Sequence, residues 1–247
     1  MAIAAWKRLE KSPGYQRRKL FFKRLLGKEL RLQPDIRINT VKDGGWWFHP
    51  DMLTGDSIVY SLGIGEDADF DLMLIKRFGC ELHAFDPTPS TVDWIAAREL
   101  PPAFHFHPWA VTARDGTLEL YPRIRRDGSR STVMYTMVPE DASIEEAIRV
   151  PTMSLASIAR QLGHDRVDLL KMDIEGAEYE VLDNLLDSMV KPTQLLVEFH
   201  HRFPGIGPER TEEMVGRLRD AGYGLFAIAE TGRELSFMLT GGQEQRL

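Results

Sequence analysis

The stretch Ser57-Ile58-Val59-Tyr60-Ser61-Leu62-Gly63-Ile64-Gly65-Glu66-Asp67-Ala68 is a short apolar run that breaks into glycines and then into acids. A run of this length ending at glycine predicts a buried strand, and G-x-G-x-x-A predicts a turn that opens a helix. That helix is expected from Asp67 to Phe78, with Phe70, Met73, Leu74 and Phe78 on one face and Gly79 as its stop. The next apolar run, Glu81 to Phe85, ends at Asp86-Pro87, twenty-three positions beyond Gly63. Glycines let the backbone approach a bound ligand closely, and a carboxylate at the next strand end can accept hydrogen bonds from ribose hydroxyls. NAD and S-adenosylmethionine are served equally well by this arrangement.

Working outward, Thr91 to Leu100 is expected as a helix broken by Pro101-Pro102, and Phe104 to Val111 as a third strand. Residues 113–150 are expected as an insertion, with a hairpin at Asp115-Gly116 and a turn-rich tract from Asp127 to Ser131. Alternation then resumes: a helix from Ser154 to Leu162 stopped by Gly163, a strand from Val167 to Met172, a helix from Ala177 to Leu186 and a strand from Gln194 to Phe199. Thr211 is expected to cap the next helix, with Glu212 and Glu213 favouring its dipole and Gly222 ending it. Two strands, Gly224 to Ala229 and Glu234 to Leu239, close the chain as a hairpin. The pattern predicts an α/β fold with a seven-stranded mixed sheet, helices on both faces, and ligands bound beyond the carboxyl ends of the strands.

The acids at those ends discriminate between cofactors. Glu66 and Asp67 put negative charge on a helix N-terminus where a pyrophosphate would sit, and they suit a cationic sulfonium instead. After the fourth strand the chain reads Lys171-Met172-Asp173-Ile174-Glu175-Gly176-Ala177-Glu178, and after the fifth Glu198-Phe199-His200-His201. In this order and spacing, VYSLGIGED, HAFDPTP, VDLLKMDIEGAEYEVL and LLVEFH resemble the FkbM-type S-adenosylmethionine-dependent methyltransferases over about residues 45–240. The resemblance implies a Rossmann-like class I methyltransferase sheet of order 3-2-1-4-5-7-6, and O-methylation of a hydroxyl on a sugar, glycan or natural-product small molecule. Carried over by position, Gly63 and Gly65 would pack under the cofactor, with Glu66 or Asp67 near its amino-acid end. Asp86-Pro87 would lie at the ribose, Trp109-Ala110 at the adenine, Glu175 beside the cofactor and Asp173 nearest the methyl group.

Methyl transfer to oxygen is an in-line displacement that also removes a proton. Asp173, Glu198 and His200 are the candidate bases. His200 is favoured among them because an unperturbed imidazole titrates near pH 6.5. Asp173 and Glu198, ending adjacent strands, are also a candidate pair for Mg2+. Lys171 either neutralises these acids or ends its strand in solvent. Trp46, Trp47, Arg123, Arg125, Arg126 and Arg130 are candidates to shape the acceptor site. Two other classes fit parts of the pattern: an NAD-dependent oxidoreductase, and a catalytically silent binding module on the same scaffold.

Composition narrows the partners. The chain has 247 residues, 43% hydrophobic and 28% charged, enough for a sizeable core. Its one cysteine, Cys80, closes no internal disulfide, and no apolar run is long enough to cross a bilayer, so a reducing, cytoplasmic location is expected. The net charge of −6 is uneven: residues 1–31 carry ten Lys/Arg against two Glu, leaving 21 basic against 35 acidic residues for the rest. An acidic body excludes duplex nucleic acid as the main partner. Residues 1–44 are expected as a basic helical arm and linker before a domain at 45–247. Leu20, Phe21, Leu25 and Leu30 would form an apolar stripe between Arg17, Arg18, Lys23, Arg24 and Lys28, suited to a membrane surface or a protein partner. A homodimer through the arm or a sheet edge is compatible with the same features.

Overall fold

In the computed structural model, residues 12–27, 29–124, 128–136 and 147–241 are described. Residues 1–11 of the expected arm, Lys28, Arg125, Arg126 and Asp127, and the 137–146 part of the expected insertion lie outside them. The described elements, in chain order, are α1 (Pro13–Leu25), β1 (Val41–Asp43), β2 (Trp46–Phe48), β3 (Ile58–Leu62), α2 (Asp69–Phe78), β4 (Glu81–Phe85), α3 (Pro89–Ala96) and β5 (Phe104–His107). There follow β6 (Ala110–Val111), β7 (Gly116–Ile124), β8 (Arg130–Thr136), β9 (Ile148–Met153), α4 (Leu155–Leu162), β10 (Leu169–Met172), α5 (Glu178–Asp187), β11 (Gln194–Glu198), α6 (Pro208–Asp220), β12 (Tyr223–Ile228) and β13 (Glu234–Leu239).

Seven strands make the main sheet in the order β12-β13-β11-β10-β3-β4-β5. Counted by their appearance along the chain and read from the β5 edge, this is 3-2-1-4-5-7-6. Strands β3, β4, β5, β10 and β11 run parallel, and β13 is antiparallel to both neighbours. The order reverses between β3 and β10, and Leu62 sits beside Met172 there. Gly63 and Asp173 therefore leave the sheet side by side at its switch point.

Alternation along the strands sorts residues between the two faces. Tyr60, Leu62, Leu170 and Met172 pack on the face covered by α4, α5 and α6, through Ile158, Leu182 and Leu218 among others. Val59 and Leu169 pack on the opposite face against α2 and the β1–β2 hairpin, through Phe70, Leu74, Trp46 and Phe48. Ser61 and Lys171, neighbours in register, belong by the same alternation to the α2 face. The hairpin turns at Gly44-Gly45, both at positive φ, as a two-residue turn of matching twist requires.

Several expectations give way to local chemistry. The third strand is not continuous from 104 to 111. Pro108 cannot donate to a ladder, and the chain kinks there, with the Trp109 amide donating to the His107 carbonyl at 2.8 Å. Asp115-Gly116 is not a hairpin turn, because β6 pairs in parallel with β9 and β9 separates it from β7. The Asp115 carboxylate instead holds the start of α4, accepting from the Ser154 amide at 2.8 Å and the Ser157 hydroxyl at 2.6 Å. The antiparallel partner of β7 on its other side is β8, so Arg130 and Ser131 of the expected turn lie in a strand. Helix α6 begins at Pro208 after Gly207, so Thr211 is no cap; it is buried, with its hydroxyl 2.7 Å from that of Tyr179. On α2 the buried side is Phe70, Asp71, Leu74 and Ile75, with Met73 and Phe78 only half-buried.

The arm also departs from expectation. Leu20 and Leu30 are buried, whereas Phe21, Phe22, Leu25 and Leu26 are each about 60–70% exposed. Consecutive helical residues are rotated by about 100°, so Leu20 and Phe21 cannot share one face. Glu29, fully buried, fastens the arm to the body: it accepts from His201 Nε2, from Arg202 Nε at 2.9 Å, and lies 3.7 Å from Lys23 Nζ. Among the described residues no helix is long and apolar enough to cross a membrane.

Candidate active site

Two cavities open at the carboxyl ends of the strands, and Gly63, Ile64 and Asp173 line both. The first, of about 260 Å³, is bounded by the glycine turn, Phe85, Asp86, Trp109 and the small sheet. The second, of about 220 Å³, lies between the β1–β2 turn and α2, with Trp46, Asp67, Asp71, Lys171, Glu198 and Glu234 in its wall.

In the first cavity, the Asp86 carboxylate organises the turn before it could meet any ligand. One oxygen accepts from the Gly65 amide at 2.9 Å and the other from the Thr88 amide at 2.9 Å. Each carboxylate oxygen keeps a second lone pair, so hydroxyl donors can still be bound. Pro87, Trp109 and Ala110 share this wall, and the Trp109 ring lies 4.7 Å from that of His107 and 6.2 Å from Phe85. Leu118, Leu120 and Tyr135 close the far side. These three come from β7 and β8, where nothing in the sequence pattern singled them out. Glu66 is exposed and lines neither cavity, while Asp67 lines the second and accepts from the Asp69 amide, the first of α2, at 2.9 Å.

Gly63 is required by proximity. Its φ is +73°, and a Cβ placed on it would stand 1.8 Å from the Asp173 carbonyl oxygen. The Gly63 carbonyl accepts from Lys171 Nζ at 3.2 Å, and the Ser61 hydroxyl accepts from the same ammonium at 3.4 Å. Lys171 is thus buried rather than solvated, 5.5 Å from the Trp46 ring centroid. Facing it on α2 is Asp71, a buried carboxyl with neither oxygen in a hydrogen bond of good geometry. Burial holds its pKa above the usual carboxylate range, with the charge of Lys171 and the Ser61 hydroxyl opposing.

The acids of the fourth and fifth strand ends converge on one imidazole. His200 is 4% exposed, and its Nδ1 donates to Glu178 Oε1 at 2.7 Å. The same oxygen accepts from the amides of Ile174 and Gly176 at 3.1 Å, so the first residue of α5 orients both the turn and the ring. Nε2 faces Asp173 at 3.7 Å, Glu175 at 3.7 Å and Glu198 at 3.8 Å. Glu175 is held at φ +52°, the one positive φ outside glycine among the described residues. Arg123 pairs with Glu175 at 3.2 Å, and Arg233 pairs with Glu198.

Burial raises the carboxyls of Asp173, Glu175 and Glu234, and with the charges of Asp173 and Glu234 it brings Glu198 to about 7. Burial works to lower His200, but the hydrogen bond to Glu178 and the charges of Glu178, Glu175 and Asp173 outweigh it, and its pKa rises to about 9. His200 also lines neither cavity. It therefore holds a proton at neutral pH instead of accepting one, which removes the ground for preferring it as the base. Asp173 is the acid common to both cavities. Trp46 lines the second cavity, whereas Trp47 lines neither and packs near Lys42. Arg123 reaches the rim through Glu175.

Comparison with known proteins adds an independent line. The model of the methyltransferase FkbM domain matches residues 60–225, about two thirds of the chain, from within β3 to within β12. The chain is 28% identical over 163 residues to the human probable methyltransferase-like protein 24, covering 65% of this chain and 37% of that one. It is 33% identical over 85 residues to the AMB antimetabolite synthetase AmbE of Pseudomonas aeruginosa, covering 34% of this chain and 4% of that one. The chain thus spans little more than a third of the first of these relatives and a small part of the second. Among solved structures, the Methanococcus jannaschii fibrillarin pre-rRNA processing protein aligns with a TM-score of 0.42 at 10% identity, covering 85% of this chain and 86% of that one.

Proposed function

Since the chain belongs to the FkbM methyltransferase family, we propose that it transfers a methyl group from S-adenosylmethionine to a hydroxyl of a sugar, glycan or other natural-product small molecule. The observation that carries this reading is the meeting of two cavities at Gly63 and Asp173. The first has the lining an adenosyl group needs: an apolar, aromatic wall at Phe85 and Trp109, and carboxylate lone pairs at Asp86. The second would take the acceptor. A sulfonium seated over the glycine turn would carry its methyl group to the junction, and Asp173 would draw the proton from the attacking hydroxyl. Holding the two reactants in line supplies most of the acceleration, and the base adds about 10²- to 10⁴-fold. The exposed Glu66 and Asp67 ahead of α2 disfavour a pyrophosphate, and with it a dinucleotide.

Calorimetry on the purified chain tests the cofactor half. S-adenosylmethionine and S-adenosylhomocysteine are expected to bind and NAD to be silent. Asp86→Ala is expected to weaken adenosyl binding about 10- to 100-fold, since it removes charged acceptors and frees the Gly65 and Thr88 amides. Binding of NAD alone would return the glycine turn to dehydrogenase chemistry.

The arm supports a proposal of its own, that it seats the protein on an anionic membrane surface. Phe21, Phe22, Leu25 and Leu26 are exposed on an arc centred opposite the buried Leu20, so they face away from the body. Arg18 lies within that arc and Lys19 beside it, both exposed. With Arg17, 3.5 Å from Glu230, they supply charge that an anionic lipid surface complements at about 1 kcal/mol per basic residue, whereas Lys23 and Arg24 are turned to Glu29 and to the Leu30 carbonyl. Cosedimentation is expected to be at least about tenfold greater with phosphatidylserine-rich vesicles than with phosphatidylcholine alone. A Phe21→Ser/Leu25→Ser variant should lose that preference. Concentration-dependent dimerisation without vesicle binding would assign the arc to a second copy instead.

A further inference from the structure

We propose that Asp173, Glu175 and His200 form a binding site for a divalent cation of the Mg2+ or Mn2+ class at the lip of the adenosyl cavity. The geometry begins with Nε2 of His200, whose proton a bound cation would displace to solvent. Glu178 is fully buried and takes His200 Nδ1–H at 2.7 Å, while two backbone amides fix the accepting oxygen, so the ring is oriented with Nδ1 toward Glu178. That leaves Nε2 as the other ring nitrogen of a side chain 96% buried, by its 4% exposure, and among the described residues the carboxylate oxygens it faces lie at 3.7–3.8 Å, beyond hydrogen-bond distance. A carboxylate behind a ligating histidine, fixing its tautomer, is the arrangement that metal sites use.

The spacing suits a cation. One ligand atom each from Asp173, Glu175 and His200 lies within 4.8 Å of the other two. Two ligands each about 2.1 Å from a metal are about 3.0 Å apart when at right angles and about 4.2 Å apart when opposed. The 3.7 Å separations from Nε2 to Asp173 and Glu175 fall between those limits and are too long for hydrogen bonds. Two hard carboxylate oxygens with one imidazole and no thiolate suit Mn2+ or Mg2+, with zinc the competitor that the imidazole admits. The remaining positions would be left for water or the acceptor oxygen.

This differs from the pair expected from the sequence. Glu198 ends the adjacent strand, but its Oε1 is taken by Arg233. Glu175, with its left-handed backbone, stands in its place, and its carboxylate would be shared between the metal and Arg123 at 3.2 Å. Asp173 lines both cavities, so a cation bound to it would stand beside the acceptor hydroxyl and ease its deprotonation, a role that rests on the methyl-transfer reading above.

The test is titration of the full, chelator-treated chain with MnCl2, followed by electron paramagnetic resonance of free Mn2+ and by calorimetry, with S-adenosylhomocysteine present and absent. One Mn2+ per chain is expected. His200→Ala and Glu175→Gln should each weaken it at least about tenfold, and Glu198→Gln by less. Circular dichroism and S-adenosylhomocysteine binding identify variants that have kept the fold. Loss of Mn2+ with adenosyl binding retained supports the site. Absence of Mn2+ binding in the unmodified chain overturns it, leaving Nε2 to a proton, and leaves the methyltransferase reading standing. A loss confined to Glu198→Gln overturns the ligand set. Failure of S-adenosylhomocysteine to bind under any condition would instead overturn the cofactor assignment.

Discussion

Gly63→Ala is expected to destabilise the protein by about 3–5 kcal/mol and to abolish adenosyl binding in whatever fraction still folds. The substitution is opposed twice. A left-handed backbone costs an alanine about 1–2 kcal/mol, and its methyl group would overlap the Asp173 carbonyl, which a Cβ here would approach to 1.8 Å. That carbonyl belongs to the backbone of the residue beside Met172 in the central sheet, so relief means parting β3 from β10 at their ends. Gly65→Ala is the control, because its φ is also positive, +54°, but nothing lies within 4 Å of the added carbon. It should cost only the backbone term. Urea denaturation of the two variants side by side measures the difference, and equal midpoints would rule out the close approach at Gly63.

Asp173→Asn is expected to lower methyl transfer about 10²- to 10⁴-fold while leaving S-adenosylhomocysteine affinity within a few-fold of the original. The amide has the shape of the carboxylate but can neither take a proton nor bind a cation strongly. It also keeps the size of the side chain at the junction of the cavities and leaves the Asp86 and Trp109 wall unchanged. The assay is transfer of labelled methyl from S-adenosylmethionine into a panel of hydroxylated small molecules, run beside calorimetry. Undiminished transfer would take Asp173 out of the mechanism and leave the cofactor assignment untouched. Equal loss of transfer and binding would make it a structural residue.

How much of this was readable in the chain depends on the distance over which each feature is determined. The switch point was readable because strand, glycine and acid follow one another within a dozen residues at Ile58 to Ala68 and again at Leu169 to Glu178. So was the closing hairpin, with two apolar runs a few residues apart. Features made by residues far apart were not. Lys171 carries no local mark of burial; only its registry with Ser61 and the packing of α2 enclose it. That Glu175 as well as Glu198 reaches His200, the one held at φ +52° and the other paired with Arg233, is a matter of a backbone angle and a distant arginine that a run of acids does not reveal. Asp115-Gly116 has the composition of a hairpin turn, yet the long-range hydrogen bonds to Ser154 and Ser157 overrule it. Pro108 did carry a local signal, a missing donor within an expected strand, and it marks the kink that aims Trp109 at the cavity.

The fastening of the arm has a geometric consequence. Glu29 ties the arm to His201 and Arg202, the residues that follow His200 in the chain. An arm held by a buried carboxylate is a bracket and not a tether. Whatever surface its outer arc touches, the mouths of the two cavities meet that surface at one fixed angle and height. Selection among acceptors would then be governed by how far a hydroxyl stands from the surface as well as by its chemistry.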